Sequence, residues 1–232
     1  MTSNAQSHLP LSGQAATFLS TEHWGLLGTR SMIWNEAFSR VSTFLNALSA
    51  SVVALALVAD ATGFGKSFRV FALVLMPMIS FLGVTTYFRL TQINAEDVFL
   101  LIGMNRLRHA YIEQAPELER YFTTGWHDDA SGVTRSFLLD QPRALGPKRQ
   151  FIITTPTVVA TLDAAIVAAG AALLANHLGA GSGLVIAASI GTFGVAWVSL
   201  LSVQFRQLTM FRRYQAELVR FPSPSKDERS PM

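Results

Sequence analysis

Residues 157–175 read TVVATLDAAIVAAGAALLA, a stretch in which Asp163 alone carries a formal charge. At about 1.5 Å of rise per residue, a helix of this length crosses the roughly 30 Å hydrocarbon layer of a bilayer. Three further stretches share the pattern and carry no charge at all: Val41 to Val58, Val70 to Phe88 and Leu184 to Val203. The chain therefore reads as an all-α membrane protein with four transmembrane helices. Composition agrees, with 50% hydrophobic and 14% charged residues, where a soluble domain carries about 25% charged residues.

The formal net charge of +3 does not point to nucleic acid, because the bases form no stripe with interleaved aromatics. They are sorted by membrane side. Only Lys66 and Arg69 fall between the first and second spans, and no Lys or Arg falls between the third and fourth. Arg30, Arg40, Arg89, Arg106, Arg108, Arg143, Lys148, Arg149, Arg206, Arg212, Arg213 and Arg220 all flank the other side. The positive-inside rule then makes both termini and the long middle loop cytoplasmic. Met1 to Ser20 is polar and lacks a basic start, so the first span is expected to serve as an uncleaved insertion signal. Cysteine is absent, which removes disulfides, thiolate metal sites and lipidated cysteines from consideration.

These signals divide the chain into a disordered N-terminus (1–20), an amphipathic interfacial helix (21–40) and a first transmembrane hairpin (41–88). A cytoplasmic helical region with a loop (89–155), a second hairpin (156–205), a cytoplasmic helix (206–221) and a disordered tail (222–232) follow. Trp24, Leu27, Trp34 and Phe38 recur at helical spacing, and tryptophan suits the headgroup layer. The second span runs into RLTQINAEDVFLLIGMNRLRHAYIEQ without proline, so its helix is expected to continue into the cytoplasm. There Ile93, Leu100, Met104, Leu107 and Tyr111 make a packing seam. Leu208, Phe211, Tyr214, Leu218 and Phe221 make a second stripe beyond the fourth span. The two extensions are expected to pack on each other, or on neighbouring copies, as a cytoplasmic layer. The outer side has no room for a domain, and no repeat relates the two hairpins.

Candidate chemistry is sparse. DATGFGKS, residues 60–67, has Asp60 where a phosphate-binding loop needs its first glycine, and it follows an apolar helix rather than a strand. Asp163 is the one expensive group, since an ionised carboxylate in hydrocarbon costs roughly 2.5–3.5 kcal/mol even on insertion scales. Asn46, Thr85, Thr86, Ser199 and Ser202 lie on the same side of the midplane. Together the six could line a hydrated vestibule or a cation or proton site; the competing reading is a hydrogen-bonded clamp between helices. Gly183, Ala187 and Gly191 on the fourth span, and Ala160, Ala164, Ala168 and Ala172 on the third, are spaced by four and predict a tight helix pair. Pro77 removes a backbone donor inside the second span and should kink it. Arg106, Arg108 and His109 could contact headgroups or a cytoplasmic anion, against a solvated helix face. His127, Asp128 and Asp129 read as a solvated loop, since three adjacent residues do not converge on one ion. No metal, cofactor or catalytic constellation is expected.

WNEAFSR (34–40), INAEDV (93–98), MNRLRHAY (104–111), APELERYF (115–122) and WHDD (126–129) resemble a family of small bacterial four-helix integral membrane proteins of uncharacterised activity, over roughly residues 22–220. The resemblance implies a bacterial plasma membrane and four helices, and carries over no site residues. Spans that continue into cytoplasmic helices also resemble, in layout, the pore-forming membrane effectors of bacterial conflict systems, which commonly have two spans. The expected function is that of an oligomeric ion channel or pore-forming protein embedded in the lipid bilayer as a homo-oligomer. A noncatalytic membrane scaffold or regulatory subunit with a cytoplasmic protein partner is one alternative. A small proton-coupled transporter using Asp163 is another.

Overall fold

The structure, a computed structural model, describes residues 12–137 and 154–224. The expected N-terminal disorder before residue 12, the middle-loop positions 138–153 and the tail beyond 224 lie outside the described residues. So do the side chains of Leu208, Phe211, Arg212 and Tyr214. Among the described residues every regular element is helical: α1 (Gly13–Thr62), α2 (Lys66–Gln114), a 3₁₀ turn (Pro116–Tyr121), α3 (Ala130–Ser136), α4 (Thr155–His177) and α5 (Ser182–Leu218). Four of the helices are long and apolar enough to cross a membrane, and each contains one of the stretches read from sequence.

Local chemistry places the boundaries. Gly63 (φ 63°) and Gly179 (φ 80°) close the α1–α2 and α4–α5 turns in the left-handed region, where glycine pays no Cβ penalty. Pro156 sits in the first turn of α4 and Pro116 opens the 3₁₀ turn, positions that need no backbone donor. Within α2 the helix runs unbroken through Pro77.

Three boundaries differ from expectation. Residues 13–20, read from sequence as the end of a disordered N-terminus, are helical and open α1. The helix of residues 21–40 is not a separate element; it is the middle of α1, which begins at Gly13. Nothing in that stretch terminates a helix, because it holds neither proline nor a capping sequence followed by an extended residue. Conversely, α3 falls within the expected middle loop, where Asp129 caps its N-terminus by accepting from the Gly132 amide.

The chain divides into two compact units. One comprises Trp34–Asn94 and Lys148–Thr209, the other Met1–Ile33, Ala95–Pro147 and Met210–Met232. In the first, α1 offers a narrow stripe, Ala37, Phe44 and Ser51, seven residues apart. From α2 come Ala72, Ile79, Thr86, Tyr87 and Leu90. Helix α4 is the most enclosed of the apolar helices, burying Val159, Ala160, Asp163, Ala164 and Ala168. Arg89 of α2 makes a two-pronged bond to Glu36, at 2.9 and 2.7 Å, and Arg40 adds a third at 2.8 Å. The hydrogen bonds from Arg89 and Arg40 lower the Glu36 pKa to about 2.

In the second unit, the seam predicted on α2 is buried at Met104 and Leu107, and the N-terminal part of α1 packs beside it. Leu26 of α1 packs where a Gly103 side chain would stand. Arg30 bonds Asp97 at 2.6 Å, His23 stacks on Tyr111, and the Tyr111 hydroxyl donates to the Leu19 carbonyl. Trp24, by contrast, is exposed.

Candidate functional site

Asp163 is 2% exposed on the inner face of α4. Helix α2 reaches it through Gly83: a Cβ built at that glycine would stand 2.6 Å from Asp163 Oδ1 and 3.0 Å from the Phe44 ring. Three helices thus meet at one carboxyl group, and the approach depends on the missing side chain. Ser80, one turn earlier on α2, hydrogen-bonds the carboxyl, while Oδ1 has no partner among the described residues. Sequence reading missed Ser80 and Gly83. The signal was their spacing of three on the α2 face that also carries Tyr87.

The polar vestibule expected around Asp163 does not form within the chain. Of the five companions only Thr86 is buried, at 3% exposure. Asn46, Thr85, Ser199 and Ser202 are exposed, and the hydroxyls of Thr85 and Ser202 turn back onto the Leu82 and Ser199 carbonyls of their own helices. The spacing of polar residues along each helix says nothing about azimuth.

The small-residue stripes separate in the same way. Ala160, Ala164 and Ala168 of α4 are buried; Ala172 is partly covered. Gly183, Ala187 and Gly191 of α5 are exposed, and a Cβ at either glycine would meet nothing within 4 Å. Helices α4 and α5 are joined by side chains instead: Trp197 Nε1 donates to Thr161, and Gln204 to Thr154. The Tyr87 hydroxyl donates to the Leu200 carbonyl. The expected α4–α5 contact through both stripes is therefore not the one within the chain.

The most elaborate polar cluster lies in the other unit, at the WHDD segment. Asp128 is buried rather than solvated, with no exposed side-chain surface. Its carboxylate accepts Arg106 Nε at 2.8 Å and the backbone N–H groups of Arg220 and Phe221 at 2.9 and 2.8 Å. Its own N–H donates to the Phe221 carbonyl. Asp129, besides capping α3, accepts from the Ser223 backbone and hydroxyl at 3.0 and 2.9 Å. Arg106 also donates to the Leu218 carbonyl at the end of α5, satisfying an orphan acceptor. Residues 218–223 are thereby fastened to 127–129. Burial pushes the pKa of both aspartates up, but the amide, hydroxyl and Arg106 donors outweigh it and hold both below 3.8.

Arg108 bonds Asn105 at 2.9 Å and the Gly125 carbonyl at 3.3 Å, and Asn105 reaches the His127 carbonyl and Ser136. His109 sits 4.3 Å from the Phe221 ring and 5.7 Å from the His127 ring. Arg106, Arg108 and His109 thus have partners inside the unit, which corrects both the solvated-face and the headgroup readings. They repeat on the α2 face that carries Asn105, and the missing signal was the acidic pair twenty residues on. No protein-family model, curated protein or solved structure matches the chain, and no cluster of three metal-ligating side chains exists among the described residues.

Proposed function

We propose that this chain is a multi-pass integral protein of a bacterial plasma membrane, with both termini cytoplasmic, that assembles around α5 into a homo-oligomeric channel or pore. One observation carries the reading: no residue in the most apolar window of α5 is buried. Ala187, Gly191, Val195, Val198 and Ser202 are all exposed and follow one another at offsets of 4, 4, 3 and 4. That is the repeat of a helix–helix seam. At about 100° per residue this seam lies on the side of α5 away from Trp197 and Gln204, which make the contacts within the chain. Copies related by rotation would pack through the small residues and present hydroxyls toward the axis. The exposed Trp24 and Phe38 suit the inner headgroup layer, and the charge asymmetry supports the orientation.

Native mass spectrometry from lipid nanodiscs tests this. A closed ring of roughly four or more copies that conducts in planar bilayers is expected. Gly191→Leu should reduce it to smaller species without conduction, yet keep its thermal stability in the monomer, because a side chain there meets nothing in its own chain. A wild-type monomer or dimer overturns the reading.

A further inference from the structure

On the side of α2 away from the buried Phe68, Ala72 and Ile79, a groove of about 520 Å³ is lined by Lys66, Ser67, Val70, Phe71 and Val74. Their offsets set all five on one face of the helix, within about 140° of arc. Polarity changes along the groove. Lys66 and Ser67 stand at the first turn of α2, and below them the lining is wholly apolar. Val70, Val74, Met78 and Phe81 are exposed and carry the same face further down the helix. From Val70 to Phe81 this track is about 16 Å long by helical rise, half of the roughly 30 Å hydrocarbon layer and so the depth of one leaflet.

We infer that this groove seats one phospholipid with an anionic headgroup, its phosphodiester at Lys66 and Arg69 and an acyl chain along Val70, Val74 and Phe81. Among the described residues neither base makes an ion pair, and Asp60, the lone acid between the first two spans, pairs with neither. Arg69 follows Lys66 about 60° around the helix, and its Nε has no hydrogen-bond partner. Two uncompensated cations above an apolar track match a lipid whose head carries net negative charge, and long basic side chains reach headgroup oxygens from a helix end. A second copy of the chain suits this face less well. Helices in a membrane approach one another through small residues, which α5 offers at Ala187 and Gly191, whereas this track presents valine, methionine and phenylalanine.

The inference rests on the membrane-spanning part of the proposed function and not on assembly through α5, since the groove belongs to one helix of one chain. In the proposed orientation it opens into the outer leaflet, apart from the arginines of the inner side. Those arginines attract anionic lipid by charge alone. The groove asks for charge and shape together, so the two requirements separate by mutation: removing the bases loses the preference for an anionic head, and filling the track loses the seat for any phospholipid.

Native mass spectrometry of the full-length protein in detergent, titrated with phosphatidylglycerol or with phosphatidylethanolamine of the same acyl chains, counts the lipids held per chain. The first phosphatidylglycerol should bind at least about fivefold more tightly than phosphatidylethanolamine, the worth of one base at a charged surface. Lys66→Gln with Arg69→Gln should weaken it roughly 20-fold on the same scale and erase the preference. Val74→Trp fills the groove at a side chain exposed in its own chain, and should weaken both lipids alike. Arg206→Gln, which removes an exposed base of the inner side, should bind as wild type does. Equal wild-type affinity for the two lipids, a double variant or a Val74→Trp variant that binds as wild type does, or a loss as large in Arg206→Gln would each overturn the inference. A chain that stays dispersed without detergent would instead overturn the membrane reading beneath it.

Discussion

Gly83 and Asp128 show how differently one residue can matter. At Gly83 the constraint is volume: an added methyl would have to displace the Asp163 carboxyl or the fully buried Phe44 ring. Gly83→Ala should therefore lower stability by about 1–3 kcal/mol, the usual range for overpacking, read as a drop in thermal unfolding midpoint in detergent. At Asp128 the constraint is charge. Its removal leaves Arg106 and two backbone amides without their acceptor, so Asp128→Ala should cost about 3–5 kcal/mol. Because its folded pKa is depressed, the contribution is present above 3.8 and lost as pH falls through the lower folded value. Asp163 is enclosed by three helices of its own chain, which in the proposed assembly would shield it from a path between copies. Asp163→Asn should leave ion selectivity in bilayer recordings unchanged; a shifted reversal potential would return this carboxylate to the conduction path.

At the scale of elements, the N-terminal half of α1 and the C-terminal half of α2 form a pair that sequence patterning half disclosed. The α2 seam was legible because Met104 and Leu107 recur at core spacing. Its partner was not, because the strongest apolar signal in residues 21–40 comes from Trp24 and Phe38, which face outward. The residues that make the pair, His23, Leu26 and Arg30, recur at offsets of 3 and 4, but only Leu26 is apolar, so hydropathy does not mark the face. Arg30 and Asp97 are also unequal partners: Arg30 is 32% exposed and Asp97 1%. Removing the arginine strands a buried carboxylate, whereas removing the carboxylate leaves a cation that water reaches. Arg30→Met should thus destabilise more than Asp97→Asn, by an amount up to the several kcal/mol of a broken buried pair. Limited proteolysis within residues 13–33 reports the difference, and equal cleavage rates would refute it.

For the whole molecule, hydropathy identified all four apolar helices, because backbone satisfaction in hydrocarbon leaves few alternatives to a helix. Orientation is a separate deduction from charge, and it can be tested in this cysteine-free chain. Gly181→Cys, in the exposed α4–α5 turn, should react with a membrane-impermeant maleimide on intact cells, and Ala130→Cys only after lysis. The reverse pattern would invert the topology. What sequence could not supply was rotation about each helix axis. That rotation sends Asp163 inward and Asn46 outward, and it buries the α4 alanines while exposing the α5 glycines although both repeat by four.

The two glycines 83 and 191 then carry opposite instructions for variation. Both lie in long apolar helices and look equivalent to any hydropathy scale. In a saturation library scored for folded monomer, position 83 should accept glycine almost alone, because its neighbours belong to the same chain. Position 191 should accept nearly every apolar residue there and lose that tolerance only in a screen for assembly. Comparing the two screens residue by residue would map where the chain ends its obligations to itself and begins those to its copies.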